Sequence, residues 1–306
     1  MTFPFEITQW KQHHLRAVAV ALGAGQTNAV VTFWPMDDAT SSTTCVAFSD
    51  PVIPGLGSQA LTLRDGAATA TAKTALVSLL TASGCRIYKL TGATYGFVAP
   101  DHADFEFGDG AVDMPFSFCC WISADSLPVG VNGRWVLSKR YWSTSPGEYS
   151  FGLGSSSSAM YGYLRDASVP SAEYLQFTSN VGATLFHPVC FTYDGTETAP
   201  TLLLYRADGG RVSIHVASNR VTPSVPDASN ATGNTTESGA YTAMEPTACP
   251  LGVGCFTEAT AVGAVASASV WLGNVALPAI VKNYVMTEAD FIRYVHHTAV
   301  LLSGHP

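Results

Sequence analysis

Three groups of residues carry side chains that could do chemistry. In Asp104-Phe105-Glu106-Phe107-Gly108-Asp109, two carboxylates stand two residues apart. On a strand they share one face, the placement from which one carboxyl attacks and another protonates a leaving group. The third acid, Asp109, is offset from that face by one residue, so the set is incomplete. Asp101, Asp104, Asp109, Asp113 and Asp194 offer the hard oxygens that calcium takes. They lie in turns without EF-hand spacing, where a solvated turn acid is the ordinary outcome. No metal is assigned, and calcium is the one cofactor this donor set would suit. Arg140, Tyr141 and Trp142 put a cation and two aromatic rings in a loop, which can stack on a sugar ring or anchor a protein contact. Packing against a neighbouring loop is the plainer alternative. His13-His14 and His296-His297 are too far apart in sequence to be read as a site.

The chain that must position these groups has 306 residues, 47% of them apolar and 12% charged. It can bury a sizeable core under a neutral, Ser/Thr/Gly-rich surface. A net charge of -8, with 15 Lys and Arg spread thinly, gives no footprint for phosphate backbones, so nucleic acid is excluded as a partner. The seven cysteines form an odd set without a C-x-x-C pair, which argues against structural zinc and against a full disulfide framework. Cys119 and Cys120 are adjacent on an expected strand and must face opposite ways. Cys249 and Cys255 could close a short loop; most of the set is expected reduced and buried. The run LRAVAVAL at 15–22 is a short imitation of a signal-peptide core preceded by Glu6 and Trp10, and no run approaches the roughly 18 apolar residues of a membrane span. The expectation is a protein made without export and without a membrane anchor.

Residues 1–28 read as an N-terminal arm, with Ile7, Trp10, His14, Val18 and Ala21 at helical spacing and a stop at Gly23 and Gly25. Such a helix either packs on its own domain or docks on a neighbour, with Trp10 and His14 as the docking candidates. Residues 29–306 read as one β domain. LFHPVCFTYDGTETAPTLLLYRADGGRVSIHV, 185–216, predicts three antiparallel strands joined at Asp194-Gly195 and Asp208-Gly209-Gly210. Phe116, Phe118, Cys120 and Ile122 share one face of a strand whose other face, with Trp121, is also apolar, so it belongs in mid-sheet. Short strands follow at 134–139, 148–153, 160–164 and 173–178, with more at 251–256 and 266–272. Residues 67–80 are left open between helix and irregular chain, and 218–240 read as a polar surface loop that includes Asn230 and Asn234. Thr287 followed by Asp290 resembles a capping box, which starts a short C-terminal helix at Glu288.

In this order the pieces resemble the laminin-G-like, concanavalin A-like jelly roll. The matching segments are FWPMDD at 33–38, YGFVAPDHADFEFGDG at 95–110, PFSFCCWI at 115–122, WVLSK at 135–139, YSFGL at 149–153, HPVCFTYDG at 187–195, LLLYRADG at 202–209 and LGVG at 251–254. SASVWLGN at 267–274 and MTEADFIRYV at 286–295 are similar to the last strand and terminal helix of that family. The resemblance implies an all-β, two-sheet antiparallel sandwich with a short helix at each end, and recognition of glycans or proteins through a concave face or rim, often with calcium. Enzymes of the superfamily carry E-x-D-x-E on one strand, which the 104–109 segment does not reproduce. His187 resembles the family's strand-start histidine.

The expected function is a non-catalytic structural or binding module on the virion surface of a bacteriophage-like particle, a capsid decoration or tail-associated protein that contacts host-surface glycan. Its expected partners are other virion proteins within a homo-oligomer or symmetric assembly. Two alternatives stay open: a glycan-degrading enzyme using Glu106, and a free lectin or adhesin that is extracellular or on a bacterial cell surface.

Overall fold

A computed structural model describes residues 4–91, 94–126, 133–141, 147–153, 160–166, 173–179, 186–196, 202–208, 211–217, 234–238, 241–258, 263–266 and 270–303. In chain order they form α1 (Pro4–Ala21), β1 (Val30–Phe33), β2 (Thr44–Cys45), β3 (Leu61–Arg64), β4 (Val77–Leu80), β5 (Arg86–Leu90), β6 (Gly96–Ala99), β7 (Phe116–Ala124), β8 (Arg134–Arg140) and β9 (Gly147–Leu153). They continue with β10 (Met160–Asp166), β11 (Glu173–Ser179), β12 (His187–Tyr193), β13 (Leu202–Asp208), β14 (Arg211–Ala217), β15 (Asn234–Ser238), β16 (Leu251–Val253), β17 (Gly273–Lys282) and α2 (Glu288–Ser303).

The strands make two antiparallel sheets. One has the order β14-β13-β12-β7-β17-β5-β4, with β1 also paired to β17; the other runs β15-β11-β10-β9-β8-β16-β6-β3-β2. This is an all-β sandwich with a helix near each end. The alternation of β7 and β12 shows why the sheets pack. Phe116, Phe118, Cys120 and Ile122 of β7 and Val189, Phe191 and Tyr193 of β12 all face one core, which the other sheet fills with Val136, Tyr149, Phe151, Leu153, Met160 and Leu164. Phe118 meets Phe151 across it, ring centroids 5.9 Å apart. Each such side chain contributes about 1.5–3 kcal/mol when taken fully out of water. The β12-β13-β14 meander has the expected order, though Leu185, Gly209 and Gly210 lie outside the described residues.

A second core lies on the opposite face of the first sheet. Leu15, Val18 and Ala19 of α1, Leu22 just after it, and Phe291, Tyr294 and Leu301 of α2 cover Cys119, Cys190, Ala276, Leu277, Ala279 and Val281. Cys119 and Cys120 thus serve different cores, as their adjacency requires, and all seven cysteines are free and buried. The N-terminal helix packs on its own chain. It ends where Gly23 takes φ +99°, a conformation in which a β-carbon would also strike the Tyr284 ring at 2.6 Å. Thr287 Oγ1 accepts from the Asp290 amide at 3.2 Å and Asp290 Oδ2 accepts from the Thr287 amide at 3.0 Å, so the reciprocal cap read from the sequence opens α2.

Three expectations are corrected. Among the described residues of 266–272 no strand forms, 267–269 lying outside them; the strand begins at Gly273 and runs to Lys282 in the middle of the first sheet. Pro278 hid it, because proline interrupts a ladder. The chain accommodates it in a bulge between Ala276 and Ala279, with Leu277 at φ +50° and the Pro278 carbonyl accepting from the Trp34 amide at 3.0 Å. Residues 67–80 hold a 3-10 turn, Lys73–Ala75, and edge strand β4. Asn234 lies in β15, paired with Thr178 of β11, rather than in a loop.

Candidate functional site

The α1–α2 layer leaves the outer face of the second sheet to other chemistry. Tyr161 and Tyr163 of β10 lie two residues apart and therefore on one face, their rings 6.0 Å apart with 14° between planes. Trp135 of β8 meets Tyr163 edge-on at 5.5 Å, and Phe256 stacks on Trp135 at 5.1 Å and 12°. Phe256 arrives from the segment after β16, which turns back on itself where the Ala266 amide donates to the Phe256 carbonyl at 2.9 Å. Trp135 and Phe256 are buried by this stacking, whereas Tyr161 and Tyr163 stay half-buried with ring surface in reach of solvent. The Arg140 guanidinium lies over the Phe256 ring, 5.4 Å from its centroid.

Of the three residues read as ligand-binding, the structure places Arg140 at this platform. Tyr141 beside it is tethered, its hydroxyl donating to the Ala248 carbonyl at 3.1 Å, and Trp142 lies outside the described residues. The sequence reading missed Trp135, Tyr161, Tyr163 and Phe256. The signal for the two tyrosines was their i, i+2 spacing in MYGYL; nothing local announced that Phe256, more than a hundred residues later than Trp135, would stack on it.

Behind Arg140 sits a buried polar lock that the sequence did not reveal. Lys139 donates to Glu148 Oε1, pairs with Asp101 Oδ1 at 3.0 Å and donates to the Thr247 carbonyl at 2.8 Å. The Lys139 and Glu148 side chains are both 0% exposed. Burial pushes the Glu148 carboxyl up to about 7, against the opposing pull of Lys139 and Thr247. Burial also works against the Lys139 charge, but Glu148 and Asp101 outweigh it and raise its pKa. A carboxyl tuned to neutrality is a familiar acid–base group. Sealed from solvent as it is here, it ties Asp101 and the 247 segment to β8 and β9 and so holds Arg140 and Tyr141 in place.

The acidic segment does not assemble a carboxylate pair. Asp104 belongs to a 3-10 turn, Ala103–Phe105, and Glu106 caps that turn, so they do not share a strand face. Asp104 Oδ2 lies 3.3 Å from His102 Nδ1, and Asp109 Oδ1 accepts from the Ala111 and Val112 amides at 2.9 and 2.7 Å. The five aspartates named for calcium are dispersed. Asp113 is an internal acceptor for Tyr193, Tyr241 and the Met244 amide. Asp194 caps its own turn through the Thr196 amide at 3.1 Å, and Asp101 belongs to Lys139. Among the described residues, no group of three or more His, Cys, Asp or Glu side chains is arranged to hold a metal ion.

Separation in sequence misled the histidine reading. His14 Nδ1 and His297 Nδ1 lie 3.1 Å apart where α1 crosses α2, with His13 and His296 alongside. Trp10 packs edge-on against His14 at 5.0 Å, so both docking candidates are engaged within the chain. A contact between two ring nitrogens needs one donor and one acceptor, hence at least one neutral ring. Burial first, then the neighbouring histidines, holds His14 and His297 below the usual histidine pKa. Groups with depressed folded pKa values stabilise the contact above the ordinary value of 6.5 and lose that contribution as pH falls through it and then through the folded values. The protection of α1 amides, taken relative to their intrinsic exchange rates, should therefore fall between pH 7.5 and pH 5, and His14→Gln should flatten that dependence. An α1 protected equally at both values would show that the pair does not hold the helix.

No protein-family model matches the chain, and no curated protein matches it significantly. The geometry of the platform, rather than kinship, carries the functional reading.

Proposed function

We propose that the protein is a non-catalytic, glycan-binding module of the concanavalin A-like, laminin-G-like type. We place it on the outside of a bacteriophage-like particle, as a capsid decoration or tail-associated protein. The binding part rests on the half-buried Tyr161 and Tyr163 ring pair beside Arg140, on the sheet face that the helices do not cover. Flat aromatic surface flanked by a few polar groups suits the C–H face of a sugar ring. The non-catalytic part is supported by Asp104 and Glu106 standing on a turn and its cap instead of one strand face. The assembly part is supported by the thinly charged surface and by edge strand β4, whose Val77, Leu79 and Leu80 are 64%, 65% and 54% exposed, an edge open to a second copy.

Binding to an oligosaccharide array tests the glycan reading. Tyr163→Ala should weaken the strongest interaction roughly tenfold, from the loss of about 1–1.5 kcal/mol of ring contact with the sugar. Full binding by a Tyr161→Ala/Tyr163→Ala double variant would remove the platform from the mechanism. Absence of the protein from purified particles, read by mass spectrometry, would overturn the placement on a virion.

A further inference from the structure

Resting on the glycan reading, we infer that the sugar bound at this face is acidic, and that Arg140 is the counter-ion for its carboxylate, sulfate or phosphate group. Lys11, Arg16, Lys89, Lys139 and Arg293 each pair with a carboxylate. Arg140 stands apart: among the described residues its guanidinium makes no hydrogen bond and no ion pair, only its contact over Phe256. Its Nε is buried without an acceptor, as is Nε1 of Trp135 on the same platform. Two buried donors on one platform are thus left without an acceptor.

The backbone is shaped to keep the side chain there. Gly147 is opposite Arg140 in the β8–β9 ladder, and a β-carbon at Gly147 would fall 2.5 Å from Arg140 Cγ and 2.6 Å from its Cβ. Glycine leaves the room in which the arginine crosses β9. Burial, with Arg165 of β10 next, pulls the Arg140 pKa down to about 10. That is the direction of a cation without a partner, and a bound anion would reverse it. A planar guanidinium with free donors beside an aromatic surface matches an acidic sugar in both parts: ring on ring, fork on anion.

The test is a glycan array holding carboxylated, sulfated, phosphorylated and neutral oligosaccharides, followed by calorimetry on the strongest ligand and its methyl-esterified or desulfated form. Acidic ligands should dominate, bind about tenfold or more tightly than their neutralised forms, and weaken as salt rises. Arg140→Gln should abolish the preference for the acidic form, so that the acidic ligand and its neutralised form bind the variant with equal affinity. Arg140→Lys, which keeps the charge and loses the fork, should fall between. The array and the neutralised ligand use the wild-type chain, so the outcome does not hang on the folding of a variant. Equal binding of acidic and neutralised forms, or selection of neutral sugars, overturns the acidic inference and leaves the glycan reading standing. Binding to none of the four classes overturns both.

Discussion

Lys139→Met should lower the stability of the fold by about 3–5 kcal/mol at pH 8 and by much less at pH 5. The size comes from stranding a buried charge: Glu148 is 0% exposed, its Oε2 has no hydrogen-bond partner, and Oε1 keeps only the Thr247 amide and hydroxyl once the ammonium is gone. The pH dependence comes from the direction of the Glu148 shift. Its folded pKa, about 7, lies above the ordinary 4.5, so its contribution is fully present below 4.5 and is lost as pH rises through 7. Removing Lys139 removes the charge that holds this value down, so at pH 8 the variant must either keep the buried carboxylate without its counter-ion or draw a proton onto it, and either costs stability that pH 5 does not exact. Urea denaturation at the two pH values measures the difference. Lys139→Met/Glu148→Gln should recover part of the loss at pH 8, because no charge is then left behind. A loss of equal size at both pH values would show that Glu148 is not the stranded group.

Asp113→Ala should cost at least about 3 kcal/mol, because each buried donor left without an acceptor costs about 1–3 kcal/mol. Asp113 is 3% exposed and accepts from the Tyr193 hydroxyl at 2.6 Å, the Tyr241 hydroxyl at 2.5 Å and the Met244 amide at 2.7 Å. Burial, then Asp113 itself, raises the Tyr241 pKa, so the phenol remains a donor at any working pH. Asp113→Asn retains one acceptor oxygen and should lose less. The carboxylate joins the start of β7 to the end of β12 and to the 241–244 segment, so its loss should be felt as global unfolding in a thermal melt. An alanine variant melting within a degree of wild type would mean that water replaces the carboxylate at all three donors.

The same residues show how far the sequence could be followed. Asp113 was legible only as an oxygen donor in a turn, a description that fits a calcium ligand and an internal acceptor equally. Two tyrosines and a chain amide decided between them, and Tyr241 lies 128 residues away. His14 and His297 were legible as parts of two helices, whose dipoles and caps are local, but not as a pair. Arg140 was legible as an arginine beside aromatic residues in its own loop; that it lies over Phe256, more than a hundred residues later, was not.

What the sequence determined by itself is whatever depends on the nearest few residues. The two-residue period of Phe116, Phe118, Cys120 and Ile122, the glycine stop of α1 and the Thr287–Asp290 cap of α2 were all readable in this way. These are properties of backbone geometry and side-chain direction, which each short segment expresses alone. Only the tertiary structure decided which strands are neighbours, that a proline-bearing strand, β17, lies at the centre of a sheet, and which distant groups meet as the Lys139–Glu148–Asp101 lock and the Arg140 platform. Those contacts close long loops, and their register is set by the summed packing of two sheets rather than by any residue's own preference.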